Sequence, residues 1–497
     1  MLYTSTRDKS VKVTSAEAIA RGISKDGGLF VPTELPKISS EFIESLVGKD
    51  YITRCEKVLS LFLTDYSEEE ISYCVNGAYA KGKFSSEKVA PIKTIAPGEN
   101  ILELWRGPTC AFKDMALQLL PYLLTVAAKK TVADKTIVIL VATSGDTGKA
   151  ALEGFKDVDK TKIMVFYPND GVSPMQKLQM TTQEGANVGV CAINGNFDDA
   201  QSGVKKIFTD PCVAKKLAEN NMMFSSANSI NWGRLVPQIV YYISAYCDLI
   251  ESGSIKNGDE INVVVPTGNF GNILAAYYAK RMGIPVKKLI CASNSNNVLT
   301  DFFESGKYDK NRKFFTTESP SMDILISSNL ERLLFHLCGE NDELVREWME
   351  SLSKDGEYEV TEEVKKLIFE LFDAGCCNDD ETNETIAETF KNGYLLDTHT
   401  AVAVKVYNDY VKKTGDKTQT VIASTANPYK FSASVLKAID GGNNTNADEF
   451  EQVELLIKES KVECPPQLSS LKGKSPRFTE CCEKEDMAKA VYKMLGI

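Results

Sequence analysis

Short β-branched runs recurring between helical stretches constrain this chain more than any other feature. The run Thr136-Ile137-Val138-Ile139-Leu140-Val141 comes first, and the same grammar returns at residues 163–167, 187–193, 262–265, 288–292 and 418–423. Uninterrupted apolar strands that alternate with helices are buried on both faces, which is the signature of parallel sheets covered by helices. The runs fall into two clusters, residues 135–224 and 261–423, and so predict an α/β protein with two open parallel-sheet lobes and a ligand cleft between them. A chain of 497 residues, 43% of them hydrophobic, has room for further parts. Residues 1–85, mixed turns and amphipathic helices around Asp26-Gly27-Gly28-Leu29-Phe30-Val31-Pro32, read as a small N-terminal domain. Residues 86–440 hold the two lobes, and 441–497 read as a helical C-terminal extension behind the loop Gly441-Gly442-Asn443-Asn444-Thr445-Asn446. Between about residues 303 and 391 the rhythm breaks into helical patterns, and the acidic run Asn378-Asp379-Asp380-Glu381 reads as a solvated loop.

In open α/β sheets, ligands collect where a strand's carboxyl end opens into a helix whose first N–H groups are free. Three such ends stand out. Val263-Val264-Val265-Pro266-Thr267-Gly268-Asn269-Phe270-Gly271-Asn272 leads into a helical stretch. Gly268 and Gly271 let the backbone approach an anion, and Asn269 and Asn272 add amide donors. The spacing is neither G-x-G-x-x-G nor a glycine loop ending in Gly-Lys-Ser/Thr, so a monophosphate fits better than a dinucleotide or a nucleoside triphosphate. The alternative is a merely structural turn. The second end, Ala142-Thr143-Ser144-Gly145-Asp146-Thr147-Gly148, offers hydroxyls from Thr143, Ser144 and Thr147 to a carboxylate or phosphate, or caps its helix and does nothing more. In the third, Ser225-Ser226-Ala227-Asn228-Ser229-Ile230-Asn231-Trp232-Gly233-Arg234, Asn228 and Ser229 are cap candidates and Arg234 can clamp a phosphate or remain a surface charge.

The chemistry open to such a cleft is narrowed by what the chain lacks. Only His336 and His399 are present, so a histidine-rich metal site is excluded and no metal is expected. A formal net charge of −11 argues against nucleic acid or an anionic membrane as a partner, so any bound anion is held locally. No run approaches the roughly 20 apolar residues of a membrane span, and the polar opening residues carry no signal core. Thirteen cysteines without a C-x-x-C read as reduced thiols, and the chain is expected in the cytoplasm. Chemistry must then come from lysine, carboxylates, hydroxyls or a cofactor, and among these one lysine stands out. Lys113, in Gly107-Pro108-Thr109-Cys110-Ala111-Phe112-Lys113-Asp114, lies between a tight turn and an apolar helix expected over about residues 115–128. A cation in a helix's first turn is opposed by the helix dipole, which eases deprotonation toward a Schiff-base lysine.

These motifs resemble the threonine synthase family of pyridoxal-phosphate enzymes, within the tryptophan-synthase-β-like superfamily, over nearly the whole chain. Tyr3-Thr4-Ser5-Thr6-Arg7 resembles the family's N-terminal domain and Ser321-Met322-Asp323 with Ser328-Asn329-Leu330-Glu331-Arg332 a block of its longer members. Ser424-Thr425-Ala426-Asn427-Pro428 is similar to the segment that meets the cofactor ring, with Asn427 where the family often carries histidine. The resemblance implies fold type II with pyridoxal 5'-phosphate in the cleft. It implies that Lys113 holds the cofactor in a Schiff base and then moves protons, that Gly268, Asn269, Phe270, Gly271 and Asn272 cradle the cofactor phosphate, and that Thr425 faces the pyridine nitrogen. Thr143, Ser144 and Thr147 would then receive the substrate carboxylate, and Asn228, Ser229 and Arg234 the rest of the substrate, while His399 reads as structural. The implied reaction converts O-phospho-L-homoserine and water to L-threonine and phosphate by γ-elimination and β-addition of water. Two alternatives remain at this point: a phospho-lyase releasing 2-oxobutyrate, and a non-catalytic phosphate-binding α/β protein. Oligomeric state is not legible.

Overall fold

Every expected strand run is a strand in the computed structural model, which describes residues 1–132, 135–143, 145–169, 172–443 and 447–497, and Asp198 by its backbone alone. The runs separate into two sheets, as their clustering predicts. The smaller has five strands in the order Cys481–Glu483, Val188–Asn194, Thr161–Pro168, Thr136–Ala142 and Met222–Ser225, all parallel. The larger has six, in the order Phe372–Cys376, Val286–Ser293, Ile261–Pro266, Thr420–Ser424, Glu99–Glu103 and Ile92–Ala96. Its pairs are parallel except the last, a hairpin at the edge. That hairpin precedes the small lobe in sequence yet joins the large sheet, so the chain runs from large lobe to small and back. Its edge strand exposes Lys93 and Thr94, and so lacks the unbroken apolar pattern that marks a central strand.

Three expectations are corrected. The acidic run at Asn378 is no loop: Asn378 and Glu381 form a reciprocal capping box that starts helix Asp379–Lys391, and the carboxylates sit where the helix dipole favours them. The helix expected after Lys113 is two, Asp114–Leu117 and Leu120–Thr131, the second starting with Pro121 in its first turn, where a residue without an N–H belongs. The C-terminal extension is not wholly helical. It adds strand Cys481–Glu483 to the small sheet, and Met487, Val491 and Leu495 of its last helix bury in that lobe's core. A three-residue strand among charged neighbours carries no periodic signal.

The N-terminal part docks on the large lobe. Strand Tyr3–Ser5 pairs antiparallel with Phe30–Pro32, and the rings of Tyr3 and Phe62 pack on Trp232 at 5.3 and 5.7 Å. Arg7 grips Glu331 with two nitrogens at 2.9 and 2.7 Å, and the buried Arg332 donates to the Phe30 carbonyl at 3.0 Å. Among the described residues no helix is long and apolar enough to cross a membrane.

Candidate active site

The turn before Lys113 is folded around Asp114. Its carboxylate accepts from the Thr109 backbone N–H at 2.8 Å and hydroxyl at 2.6 Å, and a Cβ on Gly107 would lie 2.5 Å from the Asp114 side chain, so only glycine fits there. Burial pushes the Asp114 carboxyl up to about 7, against the pull of the Thr109 hydrogen bonds. The following residues run along the segment after strand Thr420–Ser424. Phe112 N–H donates to the Thr425 carbonyl at 2.8 Å, Asn427 N–H to the Cys110 carbonyl at 3.0 Å, and Ala111 bridges Ala426. The segment that leads into Lys113 is thereby paired with the one that carries Thr425.

Lys113 Nζ lies 3.4 Å from Ser321 Oγ. Its amine is pushed down to about 8, chiefly by burial, with Arg234 and Lys430 adding to the effect and Asp146 opposing it. The physical cause therefore differs from the expected one. The helix it caps is only four residues long, and enclosure with two cationic neighbours, not a helix dipole, makes the amine easy to deprotonate.

The glycine-rich loop at residues 267–272 is held from its carbonyl side. Ser327 Oγ donates to the Gly268 carbonyl at 2.7 Å, and the backbone and side-chain amides of Asn329 donate to the Asn269 carbonyl at 3.1 and 3.0 Å. Phe270 is left-handed (φ 64°) and opens helix Gly271–Met282. Gly268 is required by close approach, since a Cβ there would lie 2.7 Å from the Ser321 carbonyl oxygen. Among the described residues, none of the backbone N–H groups of Gly268, Asn269, Phe270, Gly271 and Asn272 donates to a backbone carbonyl. Asn272 carries a further open donor: its oxygen accepts from the Tyr241 and Tyr242 hydroxyls at 2.7 and 2.5 Å, while its buried Nδ2 has no partner. A helix start with its carbonyls spoken for and its donors open is a fitting cradle for a phosphate group.

At the second strand end, Ser144 lies outside the described residues. The Thr143 hydroxyl is spent on its own loop, accepting from Gly145 and Gly148 N–H, both at 3.0 Å, while the Thr147 side chain is partly exposed and has no protein partner among the described residues. At the third end, the expected caps are replaced by Asn231, whose side chain accepts from Gly233 N–H at 2.9 Å. Asn228 is exposed and Ser229 half-buried ahead of it. Arg234 is buried in the first turn of helix Trp232–Glu251, where one nitrogen donates to the Ala227 carbonyl at 2.8 Å and Nε has no partner. Burial brings its guanidinium down to about 10. A buried cation with an open donor is no surface charge, because its lost hydration is only partly replaced.

Several residues at the site were not singled out from sequence. Lys430 is wholly buried, 2.5 Å from Asp146 Oδ1, and Gln176 Nε2 donates to the same oxygen at 2.9 Å. Burial works to raise the Asp146 carboxyl, but Lys430 and Lys113 outweigh it and hold it well below the usual carboxylate range. A lysine in the otherwise apolar Pro428-Tyr429-Lys430-Phe431 was the available signal; its partner, 284 positions earlier (430 − 146), was not. His399 holds Ser321, its Nε2 accepting the Ser321 N–H at 3.1 Å while Nδ1 lies 3.1 Å from Asp397 Oδ1, a positioning role consistent with its reading as structural. Asn427, standing at the histidine position, accepts from Tyr429 N–H at 3.0 Å and caps the turn that carries Lys430.

Two parallel-sheet lobes, a buried lysine whose proton is loosely held and an open amide cradle define the pyridoxal-phosphate-dependent enzymes of fold type II, and the model described as "Pyridoxal-phosphate dependent enzyme" matches residues 102–425. Residues 2–79 match "Threonine synthase N terminus" and 400–491 match "Threonine synthase, C-terminal". The chain belongs to the threonine synthase family. It is 37% identical to Threonine synthase of Schizosaccharomyces pombe over 89% of this chain and 90% of that one. It is 41% identical to Threonine synthase-like 1 of Homo sapiens, where the match takes in 85% of this chain but spans only 58% of that longer protein. The crystal structure of PLP-bound threonine synthase from Brucella melitensis superposes with a TM-score of 0.88 at 37% identity, covering 100% of this chain and 99% of that one.

Proposed function

We propose that this chain converts O-phospho-L-homoserine and water to L-threonine and phosphate, the last step of threonine biosynthesis. The observation that carries the proposal is the pairing of a lysine poised near 8 with two separate anion-accepting sites, the 268–272 amide cradle and Arg234. The cradle, with Asn272 Nδ2, would hold the phosphate of pyridoxal phosphate, and Thr425 would offer its hydroxyl to the pyridine nitrogen. When bound, the cofactor supplies an electron sink that acidifies the substrate's α-carbon and then its β-carbon.

Lys113, released as a free amine, takes the α-proton and returns protons later, which its lowered affinity for a proton near neutral pH permits. The Asp146 and Thr147 N–H groups and the Thr147 hydroxyl receive the substrate carboxylate, with Thr143 bracing Gly145 and Gly148 from within. Arg234, flanked by Asn228 and Ser229, takes the substrate's γ-phosphate. Its buried charge grows in effect as negative charge collects on the departing group. The thirteen cysteines are all free, which fits a reducing cytoplasm.

Incubation of the holoenzyme with O-phospho-L-homoserine, assaying threonine, 2-oxobutyrate and phosphate together, tests the proposal. Threonine and phosphate in equal amounts are expected. Phosphate with 2-oxobutyrate and no threonine would make it a phospho-lyase, and a colourless, inert protein would make it a binding protein.

A further inference from the structure

Helix Asp146–Phe155 begins in the 143–148 loop of the small lobe, and both of its ends are fastened to the Lys113 segment. At its first residue, Asp146 Oδ1 meets Lys430 Nζ at 2.5 Å, the two side chains 4% and 0% exposed. Lys430 belongs to the short turn Pro428–Phe431, just beyond Thr425 on the large lobe, and its Nζ also donates to the Thr109 carbonyl at 3.1 Å in the turn before Lys113. At the helix's far end a Cβ on Gly154 would lie 1.9 Å from the Leu117 carbonyl oxygen, so its backbone rests directly on the helix that follows Lys113. A buried ion pair is a poor source of stability, because desolvating two charges offsets most of their attraction and apolar side chains would pack as well. Its placement, spanning the lobes beside the amine, is what calls for a role.

We propose that Lys430 is a positioning residue: through Asp146 and the Thr109 carbonyl it ties the start of helix Asp146–Phe155 on the small lobe to the Lys113 turn of the large lobe, so that a carboxylate seated at that helix start sets the place of the amine. The inference rests on the function proposed above. The charged groups facing Lys113 are Asp146, Arg234 and Lys430. Without the Lys430 charge, Lys113 becomes the nearest cation left to Asp146, and its ammonium is favoured.

Full-length Lys430→Met, Lys430→Arg and Asp146→Asn/Lys430→Met variants test this, with folding checked by circular dichroism. Protonation of Lys113 is read in the cofactor-free chain from the pH dependence of acetic anhydride labelling, mapped by peptide mass spectrometry. Steady-state turnover of the holoenzyme with O-phospho-L-homoserine gives KM and kcat. Lys430→Met is expected to move the labelling midpoint up by about one pH unit, the least an uncompensated neighbouring carboxylate does, and to raise KM roughly tenfold. Lys430→Arg restores most of both. The double variant keeps the charge balance but not the tie, so its midpoint returns toward wild type while KM stays high. An unchanged midpoint and KM in Lys430→Met overturns the proposal; should that variant not fold, a wild-type KM in the double variant does so. If the wild type makes no threonine, the assigned reaction falls, and the tie is then decided by amide hydrogen exchange at residues 109–117 and 146–155, which is faster than wild type in both Met-containing variants if Lys430 holds the two segments together and unchanged if it does not.

Discussion

The pH at which the chain takes up its cofactor follows from the surroundings of Lys113. An ordinary lysine holds its proton to about 10.5, whereas enclosure with Arg234 and Lys430 brings this one to about 8, a cost to the ammonium of roughly 3 kcal/mol. At pH 7 roughly one amine in ten is then free base, against about one in three thousand for an unperturbed lysine. Only the free amine attacks an aldehyde. The rate at which the cofactor-free chain develops visible absorbance with pyridoxal phosphate, divided by that of a lysine model peptide to remove the cofactor's own ionisation, should show the difference. Stopped-flow mixing from pH 6 to 10 is expected to give a ratio that falls as pH rises through about 8, because the protein's amine saturates there while the peptide's free base keeps growing. Among the described residues Asp146 is the neighbour holding the proton on, so Asp146→Asn should move the midpoint below that of the wild type. A ratio constant through pH 10, or a midpoint raised by Asp146→Asn, would refute the electrostatic account of the site.

Lys113→Ala should fold, keep no covalently attached cofactor at position 113 after borohydride reduction, and lose at least about 10²- to 10⁴-fold in turnover; near-normal turnover removes Lys113 from the chemistry. Arg234→Ala should lose on the order of 1.5–3 kcal/mol in kcat/KM if its open Nε meets the substrate phosphate, and an unchanged value returns it to a structural part. Gly154→Ala drives a methyl into the Leu117 carbonyl oxygen and should lower stability by about 1–3 kcal/mol or more in urea unfolding, whereas a loss below roughly 0.5 kcal/mol would mean the two helices can part at little cost.

What the sequence made legible was local, and what it concealed was pairing at a distance. Central strands such as Ile261–Pro266 declare themselves because burial on both faces requires unbroken apolar residues, and the 267–272 loop because close backbone approach at Gly268 requires glycine. The edge strand Ile92–Ala96 and the late strand Cys481–Glu483 stayed hidden, since an exposed edge tolerates polar residues and a three-residue strand shows no period. At the site the same division holds. Arg234 was nameable as a cation near a helix start, but only its burial, with Nε unpartnered, separates an anion site from a surface charge. Lys430 showed only as a lysine in an apolar run, because its meaning lies in Asp146 on the opposite lobe. Thr143 shows the converse, a hydroxyl in the right motif whose bonds are already made to Gly145 and Gly148. Residue type thus nominates a group for binding, whereas its remaining hydrogen-bonding capacity decides whether it can bind. That capacity is a property of the folded neighbourhood, which is why the open donors of Asn272 and Arg234 weigh more than the motifs containing them.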